Sequence, residues 1–306
     1  MTNSSKKKRP ELKFQFIEKH RSTFRIEKMC SVLGVSRSGY YKWRSTPPSD
    51  RKKRRDQLVE RIEYHFHDND AIYGSPKITR KLHEEGFTVS EKTVGRLMRA
   101  RNLRSQAMGK FKVQTTDSNH DFPIAPNWLN QHFDVCTKPN QVWVTEITYI
   151  RIRQGTVYLA SVLDLFTRKI VGWQLGNRMK VELISDALDK AYEAQKPDKG
   201  VIHHSDRGSQ YASVEYRKKL KEYRMIRSMS RRGNCYDNAC IESFHSILKR
   251  ELIHRRPPFQ TQKEAESHLF RYIEFFYNRK RIHSKLGYLS PDRFESQYYS
   301  KLKRAH

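Results

Sequence analysis

Three acidic residues and one lysine stand at positions suited to phosphate chemistry. Glu146 interrupts the run Val142-Trp143-Val144-Thr145-Glu146-Ile147-Thr148-Tyr149-Ile150, which is otherwise apolar, aromatic or threonine. A carboxylate there is costly unless it is paired or metal-bound. Asp206 sits just past the short apolar stretch that begins at Gly200, at the kind of strand end where α/β sheets place ligands. Glu242 falls in the first turns of a helix announced by Asn234-Cys235-Tyr236-Asp237-Asn238. On that helix Asn238, Glu242, His245 and Lys249 form a polar stripe, and Ile241, Phe244 and Leu248 form an apolar one. Glu242 and Lys249 therefore point the same way, where they could meet a metal ion and the phosphate beside it. Three oxygen donors suit Mg²⁺ or Mn²⁺. Two such ions about 3.5–4 Å apart clamp the attacking and leaving oxygens of an in-line phosphoryl displacement. Taken singly, each acid is more often a solubilising surface charge, and Glu242 could be a capping charge on its helix.

The elements around these residues read as an α/β layer with a mixed sheet. Strands are predicted over 141–150, 157–164 and 169–174, where β-branched and aromatic residues dominate. A helix over 181–194, a short buried strand over 200–206, a helix over 214–223, a strand over 226–229 and a helix over 238–252 follow. Upstream the pattern is helical. Ile26 to Leu33 is broken by Gly34, and Ser36 can cap a helix from Arg37 to Trp43 carrying Arg37 and Lys42. This is a helix-turn-helix pattern. A helix over 53–67 follows Pro47-Pro48, then one starting at Ser75-Pro76 and another capped by Ser90. That last helix carries Lys92, Arg96 and Arg99, suited to phosphate and major-groove contacts. The boundaries so drawn are 1–50, a second helical region 51–105, a linker 106–130, an α/β core 131–256 and a basic helical extension 257–306.

Charge narrows the class of partner. The 306 residues carry 61 Lys+Arg against 33 Asp+Glu, a formal net charge of +28. The basic residues are dispersed along the chain, which favours a long track of nucleic-acid backbone contacts over a single localisation tag. No apolar run is long enough to span a membrane, and Met1 to Arg9 does not read as a secretory signal. Cys30, Cys136, Cys235 and Cys240 form no CxxC pair, so a disulfide framework and a structural zinc site are not expected, and a reducing cytosol fits.

Several motifs resemble those of insertion-sequence transposases of the retroviral-integrase-like DDE class, in the second-reading-frame (OrfB) form. They are Val142 to Tyr149, His204-Ser205-Asp206-Arg207-Gly208-Ser209-Gln210-Tyr211, Tyr236-Asp237-Asn238-Ala239 with Glu242-Ser243-Phe244 and Leu248-Lys249, and Tyr277-Asn278, Arg281, His283, Leu286-Gly287-Tyr288 with Ser290-Pro291. Leu33 to Tyr41 and Tyr73-Gly74 are similar to the family's N-terminal part. The resemblance implies a ribonuclease-H-like catalytic core with a mixed five-stranded sheet, preceded by an all-α helix-turn-helix region. It implies that Glu146, Asp206 and Glu242 hold two divalent ions, and that Lys249 and Asn238 position terminal DNA. His203, His204 and His245 are expected near the site, and His245 and Arg281 join Arg37, Lys42, Lys92, Arg96 and Arg99 as expected DNA contacts. The implied partners are double-stranded DNA (terminal inverted repeats and target), further copies of the chain, and an upstream-frame (OrfA) protein or fusion. The implied setting is a prokaryotic cytoplasm, at the nucleoid.

One departure stands out: the family pattern has Asp where this chain has Glu146. The extra methylene moves the carboxylate by about 1.5 Å, and a misplacement of about 1 Å can cost on the order of a hundredfold. The expectation is a protein that binds its DNA but cleaves and joins it weakly, better with Mn²⁺. The alternative is a catalytically inactive DNA-binding repressor of its own element. A ribonuclease-H-type RNA nuclease shares the fold but fits poorly with two helix-turn-helix candidates, the pair over 26–43 and the pair of helices that start at Ser75-Pro76 and at Ser90.

Overall fold

The computed structural model describes residues 10–105, 122–232 and 234–305. The basic run from Lys6 to Arg9 and most of the expected linker, 106–121, lie outside the described residues. The chain forms two compact units, one ending at His65 and one beginning at Phe66.

The first unit contains α1 (Pro10–His20), α2 (Ile26–Leu33), α3 (Arg37–Ser45) and the start of α4 (Asp50–Asp68). Gly34 closes α2 in the left-handed region at φ 63°, a conformation glycine adopts without steric cost. The Ser36 hydroxyl then accepts the Gly39 N–H at 3.0 Å and caps α3. Phe14, Ile17, Met29, Cys30 and Tyr40 form the shared core of these helices. The Tyr40 hydroxyl donates to Glu18.

The second unit opens with the pair α5 (Ser75–Glu84) and α6 (Glu91–Ala100), packed through Ile78, Leu82, Val94, Leu97 and Met98. As its hydroxyl spacing predicts, Ser90 caps α6 by accepting the Thr93 N–H at 3.3 Å. The α/β layer follows: β1 (Val142–Ile152), β2 (Gly155–Asp164), β3 (Ile170–Gly176), α7 (Val181–Gln195), β4 (Ile202–Ser205), α8 (Ser209–Ala212), α9 (Val214–Glu222), β5 (Ile226–Met229) and α10 (Ala239–Leu248). The sheet is mixed and five-stranded in the order β3-β2-β1-β4-β5. The first three strands are antiparallel neighbours, and β4 and β5 run parallel to β1.

Alternation along β1 assigns its two faces. Trp143, with Ala160 and Val162 of β2, packs on Leu183, Ala187 and Leu188 of α7 and on Tyr216 of α9. Val144, Ile150 and Ile152 face the other way, among Ile241, Phe244 and Leu248 of α10. That second face also takes Leu269 of α11 (Gln262–Phe270) and Ile273 and Tyr277 of the wider π-helical turn Arg271–Tyr277. The helical extension expected from residue 257 thus contributes side chains to this core. Asn278 secures it by accepting the Ile170 N–H at 3.0 Å and donating to the Ile170 carbonyl at 2.9 Å, which satisfies part of the β3 edge. The last helix, α12, spans Pro291–Ala305.

The helix predicted over 238–252 is in fact three pieces. A 3₁₀ turn (Cys235–Asn238) leads into α10, and a π turn (Lys249–Ile253) continues it. A π turn takes up about one extra residue, which rotates the side chains beyond it relative to an uninterrupted α-helix. Among the described residues no helix is long and apolar enough to cross a membrane.

Candidate active site

Strand register brings the first two acids side by side. β1 and β4 are parallel with Thr145 opposite Ser205, so Glu146 and Asp206 are the next residues along these neighbouring strands. Glu146 has the same parity as Val144 and points toward α10, which carries Glu242. Asp206 acts on Glu146, and both act on Glu242. Burial and then Asp206 push Glu146 up to about 8, with Lys249 pulling the other way. Burial, Glu146 and Asp206 push Glu242 up to about 7. Carboxylates that raise a neighbour's pKa in this way favour a cation beside them.

Asp206 and Glu146 are held by specific contacts. The Gly208 N–H donates to Asp206 Oδ1 at 2.9 Å, and a Cβ at residue 208 would lie a tight 3.0 Å from that oxygen, so a side chain there would push on the carboxylate. His245 Nδ1 lies 3.2 Å from Glu146 Oε2. Asn238 donates through Nδ2 to the Thr145 carbonyl at 3.3 Å, tying the start of α10 to β1 next to Glu146. The buried Asn238 Oδ1 has no hydrogen-bond partner among the described residues. Lys249 Nζ rests 4.4 Å from the centre of the Tyr149 ring, and burial lowers its pKa while Glu146 raises it.

The donor chemistry fits a hard divalent cation, since all three groups offer carboxylate oxygens. Among the described residues, however, no three His, Cys, Asp or Glu side chains are gathered tightly enough to hold an ion as they stand. What fits is the kind of donor and the shared field, not a closed cage.

Other candidate residues separate into exposed and buried groups. Lys92, Arg96 and Arg99 are exposed on α6, one face of that helix. Arg37 and Lys42 are exposed on α3, with Arg37 3.3 Å from Glu27 in a solvent-facing pair. Arg281 is not at the surface. Its guanidinium is 7% exposed and grips Glu251 with two bonds of 2.7 and 2.8 Å, so its charge is spent inside the fold and is not presented to DNA. His245 is buried as well and meets Glu146 and Ser161 instead of a backbone phosphate. His203 and His204 do not line the site. The first bonds Tyr216 at 2.9 Å, and the second bonds Ser228 at 2.8 Å and Ser230 at 3.2 Å. Burial lowers His203 to about 3 and His204 to about 4, so both are neutral core groups.

Asp237 organises the approach to α10 and was not singled out by the sequence pattern. Its fully buried carboxylate accepts from Asn127 at 2.9 Å, Gln131 at 2.8 Å, and the backbone and guanidinium of Arg231 at 2.8–3.0 Å. Arg231 holds it well below the usual carboxylate range. The available signal was Arg231 six positions upstream, which is weak in a chain this basic.

Comparison with known proteins agrees with this architecture. The integrase core domain family matches residues 136–235, a second integrase core domain family matches 223–291, and an HTH-like domain family matches 53–111. The IS600 insertion-element 31 kDa protein of Shigella sonnei is 46% identical over 272 residues, covering 89% of this chain and 98% of that protein. Transposase InsF for insertion sequence IS3A of Escherichia coli K12 is 41% identical over 288 residues, covering 94% of this chain and 99% of that protein. Among solved structures, a chain of the simian T-cell lymphotropic virus intasome aligns at 14% identity and a TM-score of 0.45, over 76% of this chain and 73% of its own.

Proposed function

This chain belongs to the family of the insertion-sequence IS3 transposases, and from that premise we propose that it binds the terminal inverted repeats of its element and catalyses strand cleavage and strand transfer there. One observation carries the proposal. Asp206, just past the end of β4, raises the pKa of Glu146 in the middle of β1, and both raise that of Glu242 at the start of α10, so three separate elements bring carboxylates into one field. In this reading Glu146, Asp206 and Glu242 hold Mg²⁺ or Mn²⁺, two ions per site. Such ions supply a nucleophile at neutral pH and stabilise charge on the leaving oxygen.

The chain's own residues do the rest. Lys249 holds the terminal phosphodiester beside the carboxylates, and Asn238 keeps the start of α10 against β1. Lys92, Arg96 and Arg99 on α6, with Arg37 and Lys42 on α3, grip duplex DNA. Water opens the phosphodiester at the element end and leaves a 3′-hydroxyl. That hydroxyl then attacks a phosphodiester of the target, displacing a second 3′-oxygen, so no bond to the protein is needed. We further assign the chain to a multimer on paired ends, working with an upstream-frame (OrfA) protein or fusion in the prokaryotic nucleoid.

A second reading rests on Glu146 alone: a DNA-binding repressor that no longer cuts. Comparing strand cleavage by the natural chain and by Glu146→Asp in Mg²⁺ separates the two. A weak but metal-dependent cut that Glu146→Asp accelerates supports the transposase with a misplaced carboxylate. Equal rates sink the idea that the extra methylene impairs the site. No cut by either version, with DNA binding intact, favours the repressor.

A further inference from the structure

Glu146 lies directly opposite Ser161 in the β1–β2 register. His245 reaches between them from α10. Its Nδ1 is 3.2 Å from Glu146 Oε2, and its Nε2 is 3.2 Å from Ser161 Oγ. The imidazole is 6% exposed, the Glu146 side chain is 19% exposed, and Ser161 is fully buried. With Glu146 ionised, as a bound cation would make it, the carboxylate can only accept, so Nδ1 carries the proton. Nε2 then accepts from the serine hydroxyl. Both ring nitrogens are thereby used, and the ring's tautomer and tilt are fixed from two sides. Among the described residues Glu146 Oε1 takes no hydrogen bond.

We propose that His245 and Ser161 are positioning residues that fix the Glu146 carboxylate, with Oε2 tied to the imidazole and Oε1 left for a divalent cation. The proposal deepens the reading above and rests on Glu146 being a cation-holding acid. Glutamate has one more rotatable bond than aspartate, so its carboxylate sweeps a larger volume unless something stops it. Here the stop comes from the helix that also carries Glu242. Fixing Glu146 to α10 therefore fixes two of the three acids relative to each other. Hydrogen-bond partners of metal-holding side chains commonly matter tenfold to a hundredfold in affinity.

The test is Mn²⁺ binding to the full-length chain, read from the loss of the free-ion paramagnetic resonance signal, with thermal unfolding run on every variant. His245→Phe keeps the ring volume and removes both bonds, and is expected to weaken Mn²⁺ by about tenfold or more. His245→Asn keeps a donor near the Nδ1 position and is expected to stay within about threefold of the parent. Ser161→Ala is expected to fall between them. In a Glu146→Gln background, His245→Phe is expected to change nothing further, because its effect passes through that carboxylate. If His245→Phe does not fold, Ser161→Ala with and without Glu146→Gln forms the same cycle. Unchanged Mn²⁺ affinity in both His245→Phe and Ser161→Ala overturns the proposal. So does an equal loss in the Glu146→Gln background. Failure of the underlying reading looks different: the parent, Asp206→Asn and Glu242→Gln would all bind Mn²⁺ equally, or not at all.

Discussion

Replacing Glu146 with glutamine should make the metal-free protein more stable, although it removes a residue assigned to the reaction. In the folded chain the Glu146 carboxyl is pushed from 4.5 up to about 8. At 1.36 kcal/mol per pH unit, forcing it to ionise costs at most about 5 kcal/mol. The side chain is 19% exposed, and solvent screening and local relaxation reduce this to about 2 kcal/mol. For a unit of this size that corresponds to a rise in Tm of about 4–8 °C. The sign follows from proton binding. Between the unfolded and folded values the native state binds more protons, so stability falls as pH rises through that window. The gain from Glu146→Gln should be absent below about pH 4.5 and complete above about pH 8. The His245 contact survives, because the glutamine oxygen also accepts from Nδ1–H. Thermal unfolding in chelator at about pH 5 and pH 8.5 measures this directly. Adding Mg²⁺ or Mn²⁺ should stabilise the parent far more than the variant, by the linkage of binding to folding. A Glu146→Gln protein less stable than the parent at the higher pH in chelator would refute the reasoning. Equal stabilisation of both by the cation would do the same.

Three more outcomes follow from the buried and exposed charges. Arg281→Met leaves the Glu251 carboxylate, 9% exposed, without its two-bond partner; thermal or urea unfolding should show a loss of about 3–5 kcal/mol, while the DNA affinity of the folded fraction stays unchanged. Asp237→Asn loses the charge-assisted bonds from Arg231 and should cost about 2–4 kcal/mol near neutral pH. Because that carboxyl is held low, its contribution is present above the unfolded value near 3.8 and disappears as pH falls below it, so the parent and variant unfolding curves should converge in acid. The triple change Lys92→Ala, Arg96→Ala and Arg99→Ala touches only exposed side chains; it should leave Tm nearly unchanged and flatten the log–log salt dependence of duplex binding by about 2–3.

Much of this fold was legible because each element announces itself locally. β-branched runs marked β1 and β2, and Ser36 and Ser90 marked the starts of α3 and α6 with hydroxyls that do cap them. Glu146, Asp206 and Glu242 stood out as candidates because one interrupts an apolar run, one follows a short strand and one sits on a helix stripe. What stayed hidden depends on contacts between distant residues. A sequence shows that Arg281 is charged, but not that Glu251 waits for it inside the core. His245 sits on a polar stripe that reads as solvent-facing or DNA-facing, yet the turn of α10 against β1 and β2 buries it between Glu146 and Ser161. His203 and His204 looked like lining beside Asp206, whereas alternation along β4 sends one to Tyr216 and the other to Ser228 and Ser230. The segment from residue 257 read as a basic helical extension because its apolar residues are spaced among charges. Leu269, Ile273 and Tyr277 nevertheless complete the face of the sheet that positions the acids.

The most direct test is strand cleavage of a duplex bearing the element's own terminal repeat, with Mn²⁺ present, by the parent chain, Glu146→Asp, Asp206→Asn and Glu242→Gln. The account predicts that the parent and Glu146→Asp cut. It predicts that each of the other two binds the duplex normally and loses on the order of a hundredfold or more in rate. Cutting at the parental rate by Asp206→Asn or Glu242→Gln, or no cutting by any version, would contradict it.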